Sequence, residues 1–233
     1  MFEALPIYTF LTLIILIPFT FFVLWKDKHL NKNKLYLILV LSLIATIVWD
    51  TVAIKTGIWG FLDANVSWRI IGIPIEEYIF GIWLTVMVLG IYTSLPRFKK
   101  HTISEPHFKE IPLLCIIFFL QFILVISLIT NPISYIKWLL FFAIIPSIFY
   151  LWRKGERIDE VRLLATCLCM ACIVIIIDNI FVPLGAWHYS EVSLLGHIGH
   201  IYWDDILFGI FNSVIIIGFY TSIPSRKMLT KKW

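Results

Sequence analysis

Residues 74–95 read PIEEYIFGIWLTVMVLGIYTSL, and residues 202–223 read YWDDILFGIFNSVIIIGFYTSI. Each stretch opens on two adjacent acids and continues through apolar residues to a Tyr-Thr-Ser end. About 20 apolar residues in a helix cross roughly 30 Å of hydrocarbon, so each stretch predicts a membrane span with a pair of carboxyls at its start. The two lie 128 positions apart, and the same offset aligns 49–96 with 177–224 without a gap. It matches Asp50 with Asp178, Gly57 with Gly185, Trp59 with Trp187, Phe80 with Phe208, Gly81 with Gly209, and Gly90 with Gly218. Pro18 and Pro146 coincide, as do Lys26 and Lys154. A biased composition accounts for shared Ile and Val, but not for aligned Gly, Trp, Asp and Tyr-Thr-Ser-x-Pro. The chain is built on an internal repeat.

Its 233 residues are 60% hydrophobic and 15% charged, with a mean hydropathy of +0.91. Soluble domains carry about a quarter charged and about half apolar residues. A soluble globular enzyme, a disordered segment and a secreted disulfide scaffold are therefore excluded. A bilayer satisfies backbone polar groups only within helices or closed barrels, and long apolar runs argue against a barrel. Seven stretches are long enough to span, near 4–25, 35–54, 74–95, 111–130, 133–152, 161–182 and 201–223. The fifth carries Lys137 in its first turn and Pro146 inside it. The first lacks a basic region and a small-residue cleavage site, so it reads as a retained helix. Cys115, Cys167, Cys169 and Cys172 lie in apolar stretches without paired metal-ligand spacing and read as ordinary buried cysteines.

The fold expected is an all-α, seven-helix polytopic membrane protein. A first three-helix repeat (1–98) and a second (133–226) flank a connector with the fourth helix (99–132). Three crossings plus one return the second unit on the side of the first, so the repeats should be parallel, related by a pseudo-twofold along the membrane normal. The positive-inside rule sets the orientation. With the N-terminus outside the cell membrane and the C-terminus in the cytoplasm, 16 of the 19 Lys and Arg fall inside; Lys55, Arg69 and Lys137 do not. The terminal Lys and Arg suit contact with anionic lipid.

Nine of the fifteen acids belong to loops or chain ends. The other six form two equivalent sets, Asp50 with Glu76 and Glu77, and Asp178 with Asp204 and Asp205. Asp50 and Asp178 fall near the ends of the second and sixth helices, and the pairs fall at the starts of the third and seventh. A carboxylate inside a span costs about 2.5–3.5 kcal/mol on insertion scales, so six without nearby cations need a reason. Helix N-termini favour the charged form, whereas crowding and apolar surroundings favour the acid; at least one of each three is expected to hold its proton. Glu77 shares a helical face with Gly81, and Asp205 with Gly209, Asn212 and Ser213, so this pair is expected to face the bundle. Glu76 shares a face with Phe80 and Trp83, and Asp204 with Phe208 and Phe211.

The stretch Arg69-Ile-Ile-Gly-Ile-Pro-Ile-Glu-Glu-Tyr-Ile-Phe80 resembles the signature of the membrane-integral lycopene cyclase domain family of carotenoid synthesis, which centres on Pro-x-Glu-Glu-x-x-Phe opening a helix. An upstream Asp, a Gly-x-Trp turn and a tandem duplication belong to the same pattern and look like Asp50, Gly57-Ile58-Trp59 and the 128-residue repeat. Pro74, Glu76, Glu77 and Phe80 are the matching motif positions. The second unit departs from the pattern, carrying Tyr202-Trp203-Asp204-Asp205 without the proline. The resemblance implies a lycopene β-cyclase-like enzyme that closes the ends of a linear carotene without a flavin or other cofactor. Its implied partners are a long apolar polyene substrate, membrane lipid and other carotenoid-synthesis enzymes, with no nucleic acid. Such chemistry needs a proton donated to a C=C bond, a folded carbocation and loss of a neighbouring proton. A carboxylic acid starts it and a carboxylate ends it. Glu77 is the expected donor of the first unit, with Glu76 and Asp50 tuning it or taking the proton back, and Asp205, Asp204 and Asp178 forming the equivalent set. Aromatic faces at Trp49, Trp59, Tyr78, Phe80, Trp83, Trp187, Tyr202, Trp203 and Phe208 would stabilise the cation without capturing it.

Other readings compete. A 3+1+3 arrangement also describes small-solute transporters, although their Pro-Gln motif is absent here. A retinal protein needs a Lys in the last helix, and 201–223 has none. An intramembrane prenyltransferase needs two Asp-rich Mg²⁺ motifs, and Asp204-Asp205 lacks a following acid. His197, His200 and Asp204 could share a helical face as a metal set near His188, or the histidines could simply bond to the acids at the interface.

Overall fold

A computed structural model of the chain describes residues 5–27, 30–97, 139, 143–154, 158–189 and 196–223. Among these, five helices are long and apolar enough to cross a membrane: α1 (Ile7–Lys26), α2 (Lys32–Thr56), α3 (Ile75–Ser94), α5 (Glu160–Phe181) and α6 (Trp203–Ser222). A shorter helix, α4 (Ile145–Lys154), precedes α5. Their bounds follow five of the predicted spans to within a few residues. The predicted helix at 111–130 lies outside the described residues, as do 133–138 and 140–142 of the one at 133–152, whose last part is α4 and the turn before it. The last span starts later than its hydropathy suggests, because Ile201–Tyr202 is a strand that feeds α6.

Local chemistry sets the helix ends. The side chains of Asn31 and Asp159 accept the backbone N–H groups of Lys34 and Arg162, capping α2 and α5 at equivalent positions. Gly57, at φ +71°, ends α2 in the left-handed conformation that glycine alone adopts without cost. A π-helical stretch, Thr12–Leu16, runs up to Pro18 in α1, and residues 143–144 are π-helical just before Pro146. Each proline lacks an N–H and crowds the preceding turn, and widening that turn relieves both.

The two units also repeat in their loops. Strands β2 (Arg69–Ile70) and β3 (Ile73–Pro74) form a hairpin that runs into α3. Strands β5 (His197–Ile198) and β6 (Ile201–Tyr202) form the same hairpin 128 residues later, in the same register, and run into α6. His197 and His200 therefore belong to a hairpin rather than a helix. The helical face that they could have shared with Asp204 does not form, and the His200 backbone N–H donates to Asn179. A third pairing joins the units: β1 (Trp59–Gly60) lies antiparallel to β4 (His188–Tyr189), with Gly60 opposite His188. Those two positions are themselves 128 apart.

Helix α3 is central, packing on α1, α2, α5 and α6. Gly81 admits Thr46 of α2 against the α3 backbone, and at the equivalent crossing Gly209 admits Val174 of α5 against α6. The apolar core runs along this seam, from Tyr8 and Trp187 at one end to Tyr92 and Tyr150 at the other. Large apolar side chains such as Phe21, Trp25 and Leu164 remain on the outside, as a lipid-facing surface requires. Cys167 is buried; Cys169 and Cys172 lie exposed on that outer surface rather than in the core.

Candidate active site

Both hairpins deliver their acid pairs to the same end of the bundle. Glu76 and Glu77 occupy the first turn of α3, and Asp204 and Asp205 the first turn of α6. Asp50 sits on α2 and Asp178 near the end of α5, at positions that face these turns. Asp50, Glu76, Asp178, Asp204 and Asp205 are all buried. An ion pair of Arg69 with Asp63, at 2.7 Å, lies outside this group. The one cation near the Glu76-Glu77 pair in sequence is thus engaged elsewhere.

Glu77 is the hub. Its carboxyl interacts electrostatically with Glu76, Asp50, Asp205 and Asp178, so acids of both units lie within electrostatic reach of it. It accepts a hydrogen bond of 2.7 Å from the Tyr8 hydroxyl. Tyr8 is fully buried and has no counterpart in the second unit, where position 136 is Ile. Sequence reasoning missed it, because a tyrosine in an apolar helix carries no motif.

Glu76 has a different environment. One of its oxygens, Oε1, accepts bonds from the Thr9 hydroxyl, the Ser67 hydroxyl (2.7 Å) and the Ser67 backbone N–H (2.9 Å). Three donors on one oxygen tie α1, the loop and α3 together. Glu76 therefore points inward as Glu77 does, contrary to the expectation that only one acid of each pair would. Its Oε2, and Oδ2 of Asp50, are buried without a hydrogen-bond partner among the described residues. Asp178 accepts a long bond of 3.5 Å from the Tyr189 hydroxyl.

Aromatic rings flank the acids in two groups, each drawn from both units. Tyr8 lies against Phe61, Phe181 and Trp187, and Trp187 meets Phe80, which meets Trp83. On the other side, Trp49 stacks on Phe208 with centroids 5.2 Å apart and lies 6.1 Å from Trp59. Phe80 and Phe208 are equivalent positions, as are Trp187 and Trp59, so each unit's phenylalanine reaches toward the other unit's tryptophan side. Tyr202 packs edge-on to Tyr189 nearby. Pro74 caps α3, where its missing N–H costs nothing. Two expected aromatics stand apart: Trp203 is 42% exposed, and the Tyr78 hydroxyl donates to the Ile70 carbonyl of the hairpin. A pocket of about 390 Å³ lined by Trp59, Phe61, Arg69 and His188 opens among the loops, and none of the six acids lines it. Among the described residues no three His, Cys, Asp or Glu are grouped as a metal ion would need.

The sequence model of the family described as lycopene cyclase matches this chain twice, over residues 6–95 and 134–223. The two matches are offset by 128 residues and together cover well over half the chain. The chain belongs to the lycopene cyclase family. The double match restates the internal repeat, and each copy of the family model holds one acid set and one Gly-x-Trp turn. Two curated relatives, both named lycopene beta-cyclase and from two strains of Halobacterium salinarum, are 39% identical over 72 residues. That stretch is 31% of this chain and 30% of the relatives' length. No solved structure matches the chain.

Proposed function

We propose that this membrane protein is a carotenoid end-group cyclase of the lycopene β-cyclase type, which closes the end of a linear carotene into a ring without net redox. The reading is carried by one observation: Glu77 of the first unit lies within electrostatic reach of Asp178 and Asp205 of the second, between aromatic groups built from both. That supports a single site shared by the two units, rather than one per unit.

In this mechanism Glu77 donates its proton to a terminal C=C bond of the polyene. The carbocation is attacked by a second C=C bond of the same end, a C–C bond closes the ring, and the charge moves to a ring carbon. A neighbouring carboxylate then removes a proton from the adjacent carbon and restores a double bond. One proton enters and one leaves, so neither flavin nor nicotinamide is required. The carboxyls that face Glu77, namely Asp50, Asp178 and Asp205, are the acceptors. Crowding of like groups makes it costly for all to be ionised together, which supports one of them holding the proton to be donated. Glu76, gripped by Thr9 and Ser67, anchors the segment rather than moving protons, and Asp204 is its equivalent. The faces of Phe80, Trp83, Trp187, Trp49, Trp59 and Phe208 would stabilise the cation and exclude water that would otherwise trap it as an alcohol.

The architecture belongs to the same reading: seven spans, units at 1–98 and 133–226 joined by a connector at 99–132, and an N-out, C-in orientation. Parallel placement of the units is supported by β1 and β4. The strands are antiparallel about a twofold axis, with Gly60 facing His188, and that axis runs along the helices because α3 and α6 start at the same end, where Glu77 and Asp205 interact. The substrate is a long polyene taken from the lipid. The test is pigment analysis after expression in a lycopene-accumulating bacterial host. Ring-ended carotenes are expected, and unchanged lycopene with the protein present in the membrane would overturn the assignment.

A further inference from the structure

At the end of the bundle opposite the acids, the two units hold each other through a pair of contacts that are themselves a repeat. Lys34, in the first turn of α2, places its ammonium 5.2 Å from the ring centroid of Tyr220 at the end of α6, and donates to the Tyr220 carbonyl at 3.1 Å. The capping residue Asn31 donates its backbone N–H to the Tyr220 hydroxyl at 3.1 Å. In the opposite direction, Arg162 in the first turn of α5 lies 4.4 Å over the Tyr92 ring at the end of α3 and donates to the Tyr92 carbonyl. The backbone of its capping residue, Asp159, hydrogen-bonds the Tyr92 hydroxyl. Lys34 and Arg162 are 128 positions apart, as are Asn31 and Asp159, and Tyr92 and Tyr220. Every contact crosses from one unit to the other.

Three demands are met at once in each copy. The last carbonyls of a helix have no intrahelical partner, and a cation satisfies one of them and suits the negative end of the helix dipole. The tyrosine face attracts the same cation. The N–H of a capping residue is free of the helix ladder, and the tyrosine hydroxyl accepts it. Arg162 is buried with its cation directed at another unit, which a mere snorkelling cation would not be.

We infer that these reciprocal cation–tyrosine clamps are an inter-unit lock, with the tyrosine at the end of α3 or α6 as the group recognised and the α5 or α2 N-terminus of the other unit as its partner. The lock also has a bearing on the far end. Tyr92 shares α3 with Glu77, and Tyr220 shares α6 with Asp205; each pair is separated by 15 residues, about 22 Å of helix. Fixing the clamp end of both helices sets how their acid ends meet. The lock stands whatever reaction those acids perform.

The full chain, carrying a protease site inserted between Ser104 and Glu105 and a C-terminal tag, is purified in detergent, folded, and then cut. Retention of the untagged N-terminal piece on the tag resin is followed over time. Lys34→Met and Arg162→Met should each speed release by about tenfold, and the double variant by more, since each removes a partly buried charge-assisted contact. The swap Lys34→Arg with Arg162→Lys keeps both clamps and should release at close to the wild-type rate. Tyr92→Phe with Tyr220→Phe keeps both rings, loses only the hydroxyl bonds, and should speed release by a few-fold, which provides a readout should the Met variants not fold. Release of the Met double variant or of the Phe pair at the wild-type rate would overturn the lock, as would a swap variant that falls apart as fast as the Met double.

Discussion

Tyr8 donates to Glu77 across 69 positions of sequence, at 2.7 Å, from a side chain with no exposed surface. The bond joins the first helix to the acid that faces three carboxyls besides its own neighbour, and it decides where the Glu77 oxygens point. A carboxyl that must meet one carbon of a mobile polyene end needs that restraint, because a displacement of about 1 Å is enough to lose most of the benefit of a positioned acid.

Tyr8→Phe removes the hydroxyl and keeps the ring against Phe61, Phe181 and Trp187. Loss of one buried hydrogen bond costs about 1–3 kcal/mol, so a modest fall in melting temperature is expected, and cyclisation should slow by up to about 5- to 150-fold as Glu77 loses its restraint. Tyr8→Ala should lower both further, since it also empties the aromatic group. Product formed per folded protein, measured for the two variants together, checks the split.

Glu76 should behave as an anchor. Thr9→Val and Ser67→Ala each withdraw a hydroxyl donor from the same buried oxygen and should each lower stability by about 1 kcal/mol. In the combined variant only the Ser67 backbone N–H is left on that oxygen, so the loss should exceed the sum. Melting curves in detergent for the two single variants and the pair measure this. Losses of cyclised product with unchanged stability would move Glu76 from anchor to chemistry.

Gly209→Ala puts a methyl 2.9 Å from a Val174 methyl at the α5–α6 crossing. Valine has one favoured rotamer in a helix and cannot step aside, so the helices must part, at about 1–3 kcal/mol. Val174→Ala in the same chain should restore much of the lost stability. A melting temperature that Gly209→Ala leaves unchanged would contradict the crossing.

Much of this was legible in the residues. The 128-residue offset, read from Gly, Trp and Asp, reappears as identical hairpins, matched π-helical turns and matched glycine crossings, because each of those residues has a backbone or packing role that composition cannot imitate. The six acids were legible too, since a carboxyl in a span is expensive enough to require a purpose. Which acid of a pair faces inward was not. Helical periodicity assigns a residue to a face, but Glu76 is drawn inward by Thr9 and Ser67, which belong to other segments. Tyr8 and the clamps at Lys34 and Arg162 were invisible for the same reason: each acts on a partner more than 60 positions away, and an apolar tyrosine or an interfacial cation is unremarkable until that partner is known. Hydropathy likewise read through Ile201 and Tyr202, where strand pairing to His197 and Ile198 delays the helix.

Reporter fusions after Lys100 and Glu191 test the orientation that the basic residues imply. Lys100 belongs to a segment with Arg97 and Lys99, whereas the loop around Glu191 has no Lys or Arg between Arg162 and Arg226. Cytoplasmic activity is expected at Lys100 and periplasmic or external activity at Glu191. The same sidedness at both sites would contradict the seven-span topology.

Glu77→Gln and Asp205→Asn together test whether the units share one site. Each substitution keeps size and hydrogen bonding and removes the exchangeable proton, so packing is left nearly intact. Loss of a general acid costs about 10²–10⁴-fold in rate. Two independent sites would leave each single variant with one working acid set, about half the product, and loss only in the double variant. The interaction of Glu77 with Asp178 and Asp205 predicts otherwise. Glu77→Gln alone should abolish ring formation, Asp205→Asn alone should reduce it by at least tenfold, and the double variant should be no worse than Glu77→Gln, as expected for groups acting as a unit. Pigments extracted from lycopene-accumulating cells at matched protein levels distinguish the two patterns. Half-normal product from both single variants would separate the units into two sites, and near-normal product from Glu77→Gln would remove Glu77 as the acid.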